Sequence, residues 1–424
     1  MTKANKQDRP LRVLRLTPHY YWPQLAKTSW PVKFDAIGGM QSQITRLTQA
    51  LDAEGIEQTV LTLQLPGAPR RWQVSDRTEV LGVRVPVLPL RSRIRGMVDL
   101  NLSWALGVLR HLLRTRRRPD VLHVHCSGVI IPPLLGWALC RLLRVPLVLT
   151  VHCSIIVTYH PMNRLDGLLQ PFARWVEQRA IRAAARTITL TPRTIPTLKK
   201  RSRRSDDAFA VLPDVIDAEA FAARATPEAI EAVRRRWDLP ADKATVGYVG
   251  RLAREKGWPI ILDIAEELLD EPIHWLICGD GNERDLFEQD VARRGLGDRV
   301  TVTGYVPNEE IPAVMKAMDL MLMAPIHEEF GSVMLEAMAV KLPIIAVGVG
   351  GVANVLEDGA LGWLVPERTP EAFAEGIRKA MADPEWRNTA AEQAATAVRA
   401  RYDLGAVARD TAELYRAVVR NDGA

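Results

Sequence analysis

Cysteine is scarce in this chain, and the few present exclude more than they suggest. Only Cys126, Cys140, Cys153 and Cys278 occur in 424 residues, with no Cys-x-x-Cys pair and no zinc-like spacing. Three lie in apolar or strand-like surroundings, which predicts buried thiols in a reducing cytoplasm. Long hydrophobic runs are also missing. The longest uncharged apolar stretch, Gly128–Cys140 ("GVIIPPLLGWALC"), is too short to span a bilayer and carries Pro132-Pro133 near its start. It reads as a buried crossover helix rather than a membrane-surface patch. No h-region follows the polar "MTKANKQDRP", so no signal peptide is expected, and residues 1–10 are read as a flexible tail. A Walker loop is absent, which disfavours phosphoryl transfer of that type, and the Gly38-Gly39 turn lacks the GxGxxG spacing of a dinucleotide site.

Charge of one sign is in modest excess, +6 overall, with much of it in Arg114–Arg118 and Lys199–Arg204 ("KKRSRR"). Such runs can dock anionic lipid or nucleic acid. Neither is interleaved with aromatic residues, which weakens the nucleic-acid reading. A solvated helix end and a surface loop account for both. With 47% hydrophobic and 25% charged residues, the composition is that of a soluble globular protein long enough for two domains.

What is present is an alternation of short β-rich runs and longer helical segments, the pattern of parallel α/β sheets. Strands are expected at Leu11–Thr17, Gln58–Leu65, Val80–Leu88, Val121–His125, Leu147–His152 and Thr187–Leu190, with helices at about Gly39–Glu54, Leu100–Thr115, Pro133–Leu143 and Leu168–Ala185. A second block opens with "ATVGYVG" (Ala244–Gly250) and continues through "HWLICGDG", "DLMLMAP" and "PIIAVGVGG". The expected architecture is α/β, two Rossmann-like doubly wound domains facing across a cleft: residues 11–215, then 216–400, with a helix at about 402–420 returning to the first. Ligands of such sheets bind beyond the carboxyl ends of the strands, so residues just after strands are the informative ones.

Several carry chemistry. In "YVGRLAREKG" (Tyr248–Gly257), Arg251 follows a strand at once and Lys256 precedes the next helix, a mouth suited to phosphates. In "FDAIGGMQ" (Phe34–Gln41), Gly38 and Gly39 precede a helix whose N-terminus favours an anion. His123 and His125 ("HVH") and His152 ("TVHCS") end two strands. His125 and His152 read as polar groups projecting into the cleft, and His123 equally as a satisfied core histidine. In "HEEFGSVMLEAMA" (His327–Ala339), Glu328 and Glu336 stand eight positions apart, around a Gly331-Ser332 helix start. Ser332 is the expected N-cap. A polyol phosphate over such a helix start would meet a carboxylate before the turn, amide donors at it and a second carboxylate within the helix.

At these residues the chain resembles a family. "EEFGSVMLE" is similar to the E-x7-E motif of retaining, nucleotide-sugar-dependent glycosyltransferases of family four, which have the GT-B fold. "GRLAREKG", "GDG" and "GGVANVLEDGALGWLVP" follow the same pattern in the same order, over nearly the whole chain after the first ten residues. The resemblance implies that Glu328 contacts donor-sugar hydroxyls and Glu336 the ribose. It implies that Arg251 and Lys256 bind the diphosphate with help from Gly39, Phe330, Gly331, Ser332 and Val333, and that His152 lies beside the transferred sugar. Gly279, Gly281, Tyr305 and Val306 would line the nucleotide pocket. "LPDVID" departs from the family's P-N-G-V-D pattern, with Asp214 and Val215 at the Asn-Gly positions, so a different loop shape is expected there. No Asp-x-Asp metal motif appears in a strand-end loop, which implies catalysis with no metal and no cofactor beyond the UDP-sugar co-substrate.

"LRLTPHYYWP", "WPVKFDAIGGMQ" and "TVHCS" with "YHPM" further resemble the 2-deoxystreptamine glycosyltransferases of aminoglycoside antibiotic biosynthesis. That implies transfer of N-acetylglucosamine or glucose from a UDP-sugar to an aminocyclitol in the cytoplasm. Asp35, His125, Tyr159 and His160 are candidate acceptor contacts. Three other readings stay open: a lipid-linked acceptor at a membrane, a non-catalytic binding protein of the same fold, and a phosphorylase with a pyridoxal phosphate lysine.

Overall fold

The computed structural model describes residues 9–22, 39–65, 67–84, 101–115, 117–158 and 164–421. The chain divides into two units: Met1–Pro213 with Leu404–Ala424, and Asp214–Asp403.

Among its described residues the first unit has eight strands: β1 (Arg12–Leu16), β2 (Glu57–Leu63), β3 (Arg71–Gln73), β4 (Thr78–Val83), β5 (Val121–Ser127), β6 (Leu147–Cys153), β7 (Arg186–Thr189) and β8 (Phe209–Val211). They form one sheet in the order β3-β4-β2-β1-β5-β6-β7-β8. Only the β3–β4 pairing is antiparallel. β5 and β6 are each buried over six successive residues, as central parallel strands covered by helices on both faces must be. The helix Leu404–Asn421 belongs to this unit. Its Ala408, Ala412, Tyr415 and Val418 recur at helical spacing and pack with Leu47 and Leu51 of the helix Gly39–Ala53. The helix begins beyond Tyr402, whose ring instead meets Phe330 edge-on in the second unit, with centroids 5.8 Å apart.

The second unit holds β9 (Ala244–Val249), β10 (Ile273–Cys278), β11 (Val300–Gly304), β12 (Leu320–Met323), β13 (Ile344–Val347) and β14 (Trp363–Val365). All pairings are parallel, in the order β11-β10-β9-β12-β13-β14. Trp275, Phe287 and Phe373 anchor its core.

In both sheets the chain reverses its direction of travel at the first strand: between β1 and β5, and between β9 and β12. The loops leaving such a pair diverge and open a crevice at the strands' carboxyl ends. The pattern of the sequence does not predict β3, β8, β11 or β14. β3, β8 and β14 have three residues each, too few to carry a period, and β11 ("VTVTG") is a half-exposed edge strand whose threonines resemble loop. The strand expected at Val80–Leu88 starts earlier, at Thr78, and its residues beyond 84 lie outside the described residues.

Candidate active site

In the second unit the reversal brings together the loops after β9 and β12. Arg251 follows β9 and pairs with Glu255 at 2.7 Å. Lys256 closes the 3-10 turn Arg254–Lys256, and its Nζ lies 2.6 Å from Glu328 Oε2 in the loop after β12. The Glu328 side chain is 13% exposed and that of Lys256 is 31% exposed. A half-buried pair of this kind fixes both groups while leaving the ammonium open to an anion. A backbone bond from Ile326 N to Glu255 O (2.9 Å) ties the two loops together.

Ser332 is not the N-cap that the sequence suggests. Gly331 takes that position, at φ +83°, in a left-handed turn that L side chains rarely adopt. Ser332 is therefore the first helical residue, and its hydroxyl donates to the buried carboxylate of Asp214. The helix Ser332–Ala339 buries Met334, Leu335, Ala337, Met338 and Ala339. Its remaining stripe is Ser332, Val333 and Glu336, all half-buried. Ser332 and Glu336 are four residues apart and so lie on one face. The stripe thus brings the first two amides of the helix, Ser332 and Val333, which have no intrahelical acceptor, in line with the second carboxylate, while Met334 N is taken by Gly331 O at 2.8 Å. Phe330, 3% exposed, packs inward.

The remaining strand ends close the same crevice. Gly279 bridges to Gly304 at the ends of β10 and β11, and Leu252 N donates to Asp280 O at 2.9 Å. Gly281 and half-buried Tyr305 lie in these loops, whereas Val306 is 6% exposed and offers little side-chain surface. Neither period nor spacing marks the loop after β13 as part of the site. Gly351 N donates to Glu328 O at 2.8 Å, and a Cβ on Gly350 would lie 1.9 Å from that same oxygen. Nor do they mark Arg368, whose Nε donates to Ala324 O (3.0 Å) and holds the start of the Glu328 loop. The only sequence signal for the first was the paired glycine after a strand; for Arg368 there was none.

In the first unit the histidines form a buried chain. Parallel register sets Arg15 opposite His123 and His125 opposite Thr150, so Arg15, His123, His125 and Thr150 share one face, with His152 two residues on from Thr150. His123 lies 2.5 Å from Tyr415 Oη and 2.7 Å from Thr150 Oγ1, a satisfied core residue. His125, expected to project toward an acceptor, is 1% exposed and holds Arg15 at 3.0 Å and His152 at 3.0 Å. Both its ring nitrogens are engaged, so neither is left for an acceptor. Burial is the chief force holding all three neutral. His123 and His125 fall well below the ordinary histidine range, and His152 falls to about 3, with the charge of Arg15 adding to the effect. Gly39 begins its helix as expected. Asp35, Gly38, Tyr159 and His160 lie outside the described residues.

Neutral burial has a consequence for stability. Folded values below the unfolded one, roughly 6.5, mean that the unfolded chain binds more protons as the medium becomes acidic. The stability these groups confer is thus complete above about pH 6.5 and declines below it, by up to roughly 1.4 kcal/mol per pH unit for each histidine. Thermal unfolding at pH 5 is expected well below that at pH 7.5. An unchanged midpoint would show that the histidines titrate normally in the folded state.

All four cysteines are free thiols. Among the described residues, no group of three or more His, Cys, Asp or Glu side chains is placed to hold a metal ion, and no helix is long and apolar enough to cross a membrane.

The family described as "Glycosyl transferases group 1" matches residues 229–397, and "Glycosyl transferase 4-like domain" matches residues 38–213. The 2-deoxystreptamine N-acetyl-D-glucosaminyltransferase of Streptomyces fradiae is 36% identical over 97% of this chain and 98% of its own. The 2-deoxystreptamine glucosyltransferase of Streptomyces kanamyceticus is 38% identical over 81% of this chain and 90% of its own. Among solved structures, the sucrose-phosphate synthase of Thermosynechococcus elongatus matches with a TM-score of 0.80 at 22% identity, over 97% of this chain and 100% of that one. Anabaena HepE in complex with UDP-glucose matches with a TM-score of 0.71 at 19% identity, over 96% of this chain and 100% of that one. At these identities the two structures speak to the fold.

Proposed function

The chain belongs to the GT-B glycosyltransferases, in the family that holds the 2-deoxystreptamine glycosyltransferases, and from that premise we propose that it moves N-acetylglucosamine or glucose from a UDP-sugar to a hydroxyl of 2-deoxystreptamine, with retention of the anomeric configuration and without a metal. The observation that carries the donor half is the Lys256–Glu328 pair, which sets a cation and a carboxylate side by side at the start of the helix Ser332–Ala339. A nucleotide sugar needs that combination. Its diphosphate takes Arg251, Lys256 and the helix amides; its sugar hydroxyls take Glu328; its ribose takes Glu336. The acceptor half is supported by the 2-deoxystreptamine transferases among the relatives, one matching over 97% of this chain and another over 81%.

In the proposed reaction the acceptor oxygen attacks the anomeric carbon on the face that UDP leaves. The bond from that carbon to the phosphate oxygen breaks, the new glycosidic bond forms, and the acceptor's proton passes to the departing diphosphate. No pair of carboxylates spaced for hydrolysis is invoked. Catalysis is electrostatic: Arg251, Lys256 and the helix N-terminus stabilise the charge that develops on the leaving group.

The test is incubation of the protein with 2-deoxystreptamine and a panel of UDP-sugars, read by mass. A hexosyl or N-acetylhexosaminyl adduct with one donor is expected. UDP release and transfer only to other acceptors would sink the 2-deoxystreptamine assignment, and no UDP release with any acceptor would favour a binding protein.

One observation favours a second reading, an acceptor held at a lipid surface. On the helix Arg164–Ala183, Leu165, Leu168, Phe172 and Trp175 are all exposed and recur along one stripe. Phe172 and Trp175 stack at 5.9 Å. Sedimentation with anionic vesicles separates the two readings: the soluble-acceptor enzyme is expected in the supernatant.

A further inference from the structure

The buried chain that ends at His152 has a direction. Arg15 is wholly buried on β1, and its guanidinium is held by Thr48 Oγ1 (2.5 Å), Gln58 Oε1 (3.2 Å) and His125 Nε2 (3.0 Å). The first two partners are themselves oriented. The Thr48 hydroxyl donates to Ile44 O, and the Gln58 amide nitrogen donates to Thr48 O and Thr78 Oγ1. Arginine has five donors and no acceptor. His125 Nε2 must therefore offer a lone pair, and its proton sits on Nδ1. That N–H faces His152 Nε2 at 3.0 Å, which must in turn be a lone pair. The proton of neutral His152 is left on Nδ1. Among the described residues this buried nitrogen has no partner, and its side chain is 6% exposed. A buried N–H without an acceptor is costly, and an oxygen arriving with a ligand relieves that cost.

We propose that Arg15, acting through His125, locks His152 in the tautomer protonated on Nδ1, so that His152 is an obligate hydrogen-bond donor to a substrate oxygen. Arg15 and His125 are positioning residues; of these three, His152 is the one that touches substrate. The proposal rests on the reading of the chain as a nucleotide-sugar transferase. It adds a reason for a fully buried arginine that is far too expensive to keep for packing alone. A tautomer set in advance gives the site a donor that needs no reorganisation when the sugar arrives.

The experiment uses the full chain labelled with ring-15N histidine, and long-range proton–nitrogen correlation spectra to tell protonated from bare ring nitrogens. His152 is assigned by difference with His152→Gln. In the wild type, His152 is expected with Nδ1 protonated and Nε2 bare, and the Nδ1 proton signal is expected to shift when UDP-N-acetylglucosamine is added. His125→Phe is expected to release the ring toward the Nε2-protonated form and to lower kcat about 10-fold or more, a fraction of the loss seen on deleting a preorganised donor. His125→Asn, whose amide nitrogen can stand in for Nδ1–H, is expected to restore the tautomer and most of the turnover.

A wild-type His152 protonated on Nε2 overturns the proposal, and needs no variant to fold. So does a His125→Phe protein whose His152 stays locked on Nδ1, or a donor that binds by calorimetry without moving the Nδ1 signal. Wild-type transfer activity, measured in parallel, reports on the glycosyltransferase reading separately from the tautomer.

Discussion

Lys256→Ala is expected to lower kcat for glycosyl transfer by about 10²-fold or more, with the second unit still folded. In the proposed complex, Lys256 supplies positive charge where the leaving diphosphate gains negative charge, and that interaction strengthens as the bond breaks. Its loss therefore falls on kcat more than on KM. A second effect adds to the first. Lys256 Nζ is 2.6 Å from Glu328 Oε2, and the Glu328 side chain is 13% exposed, so removing the ammonium leaves a half-buried carboxylate beside the incoming phosphates. Repulsion from it weakens donor binding as well. Glu328→Ala is expected to slow the enzyme strongly by itself through loss of its sugar contact. The double variant is expected to be less impaired than the product of the two single losses, because each partner's removal already disables the other. Steady-state kinetics on the four proteins, with UDP release as the readout, provide the cycle. Near wild-type rates for both single variants would show that the chemistry lies elsewhere.

Gly350→Ala is expected to be nearly as damaging without touching substrate. The residue sits at φ +56°, and a Cβ there would stand 1.9 Å from the carbonyl oxygen of Glu328. Backbone, unlike the tip of a side chain, cannot turn aside, so the Glu328 loop has to move by the order of an ångström. Misplacement on that scale can cost about 10²-fold in rate. Thermal stability falls too, by about 1 kcal/mol or more, because alanine is strained at positive φ. Gly295→Ala separates these effects: Gly295 has a similar φ of +69°, but nothing lies within 4 Å of its added Cβ. It is expected to lose stability and keep its kinetics. Equal activity in the two variants would mean that the loop after β13 does not set the Glu328 position.

The parts of the site that were legible in the sequence are those that a single segment carries. Arg251 at a strand end and Lys256 before a helix are local facts. So are the spacing of Glu328 and Glu336 and the alternation that puts His123 and His125 on one face of β5. The helix start at residues 331 and 332 is legible also, but local preference points to the wrong one of the two as the cap. Serine's ordinary preference for that position was overridden by a left-handed turn that only Gly331 takes readily, and the freed hydroxyl was claimed by Asp214, which lies 118 residues earlier in the chain. Asp214 stood out in the sequence as a departure from pattern, yet nothing local says what a carboxylate there would meet.

Period, composition and turn chemistry act over a few residues. By themselves they determined that this chain is a doubly wound α/β protein whose strand ends carry cations, carboxylates and histidines, and the ordered motifs determined its family. Partners depend on which strands lie side by side, and strand order is settled by how sheets twist and pack, which no short window contains. Only the tertiary structure decided that Lys256 meets Glu328 across the reversal from β9 to β12. It decided that Gly350 presses against the back of the Glu328 loop. It also decided that a wholly buried Arg15 points one donor at His125, whose other ring nitrogen meets His152.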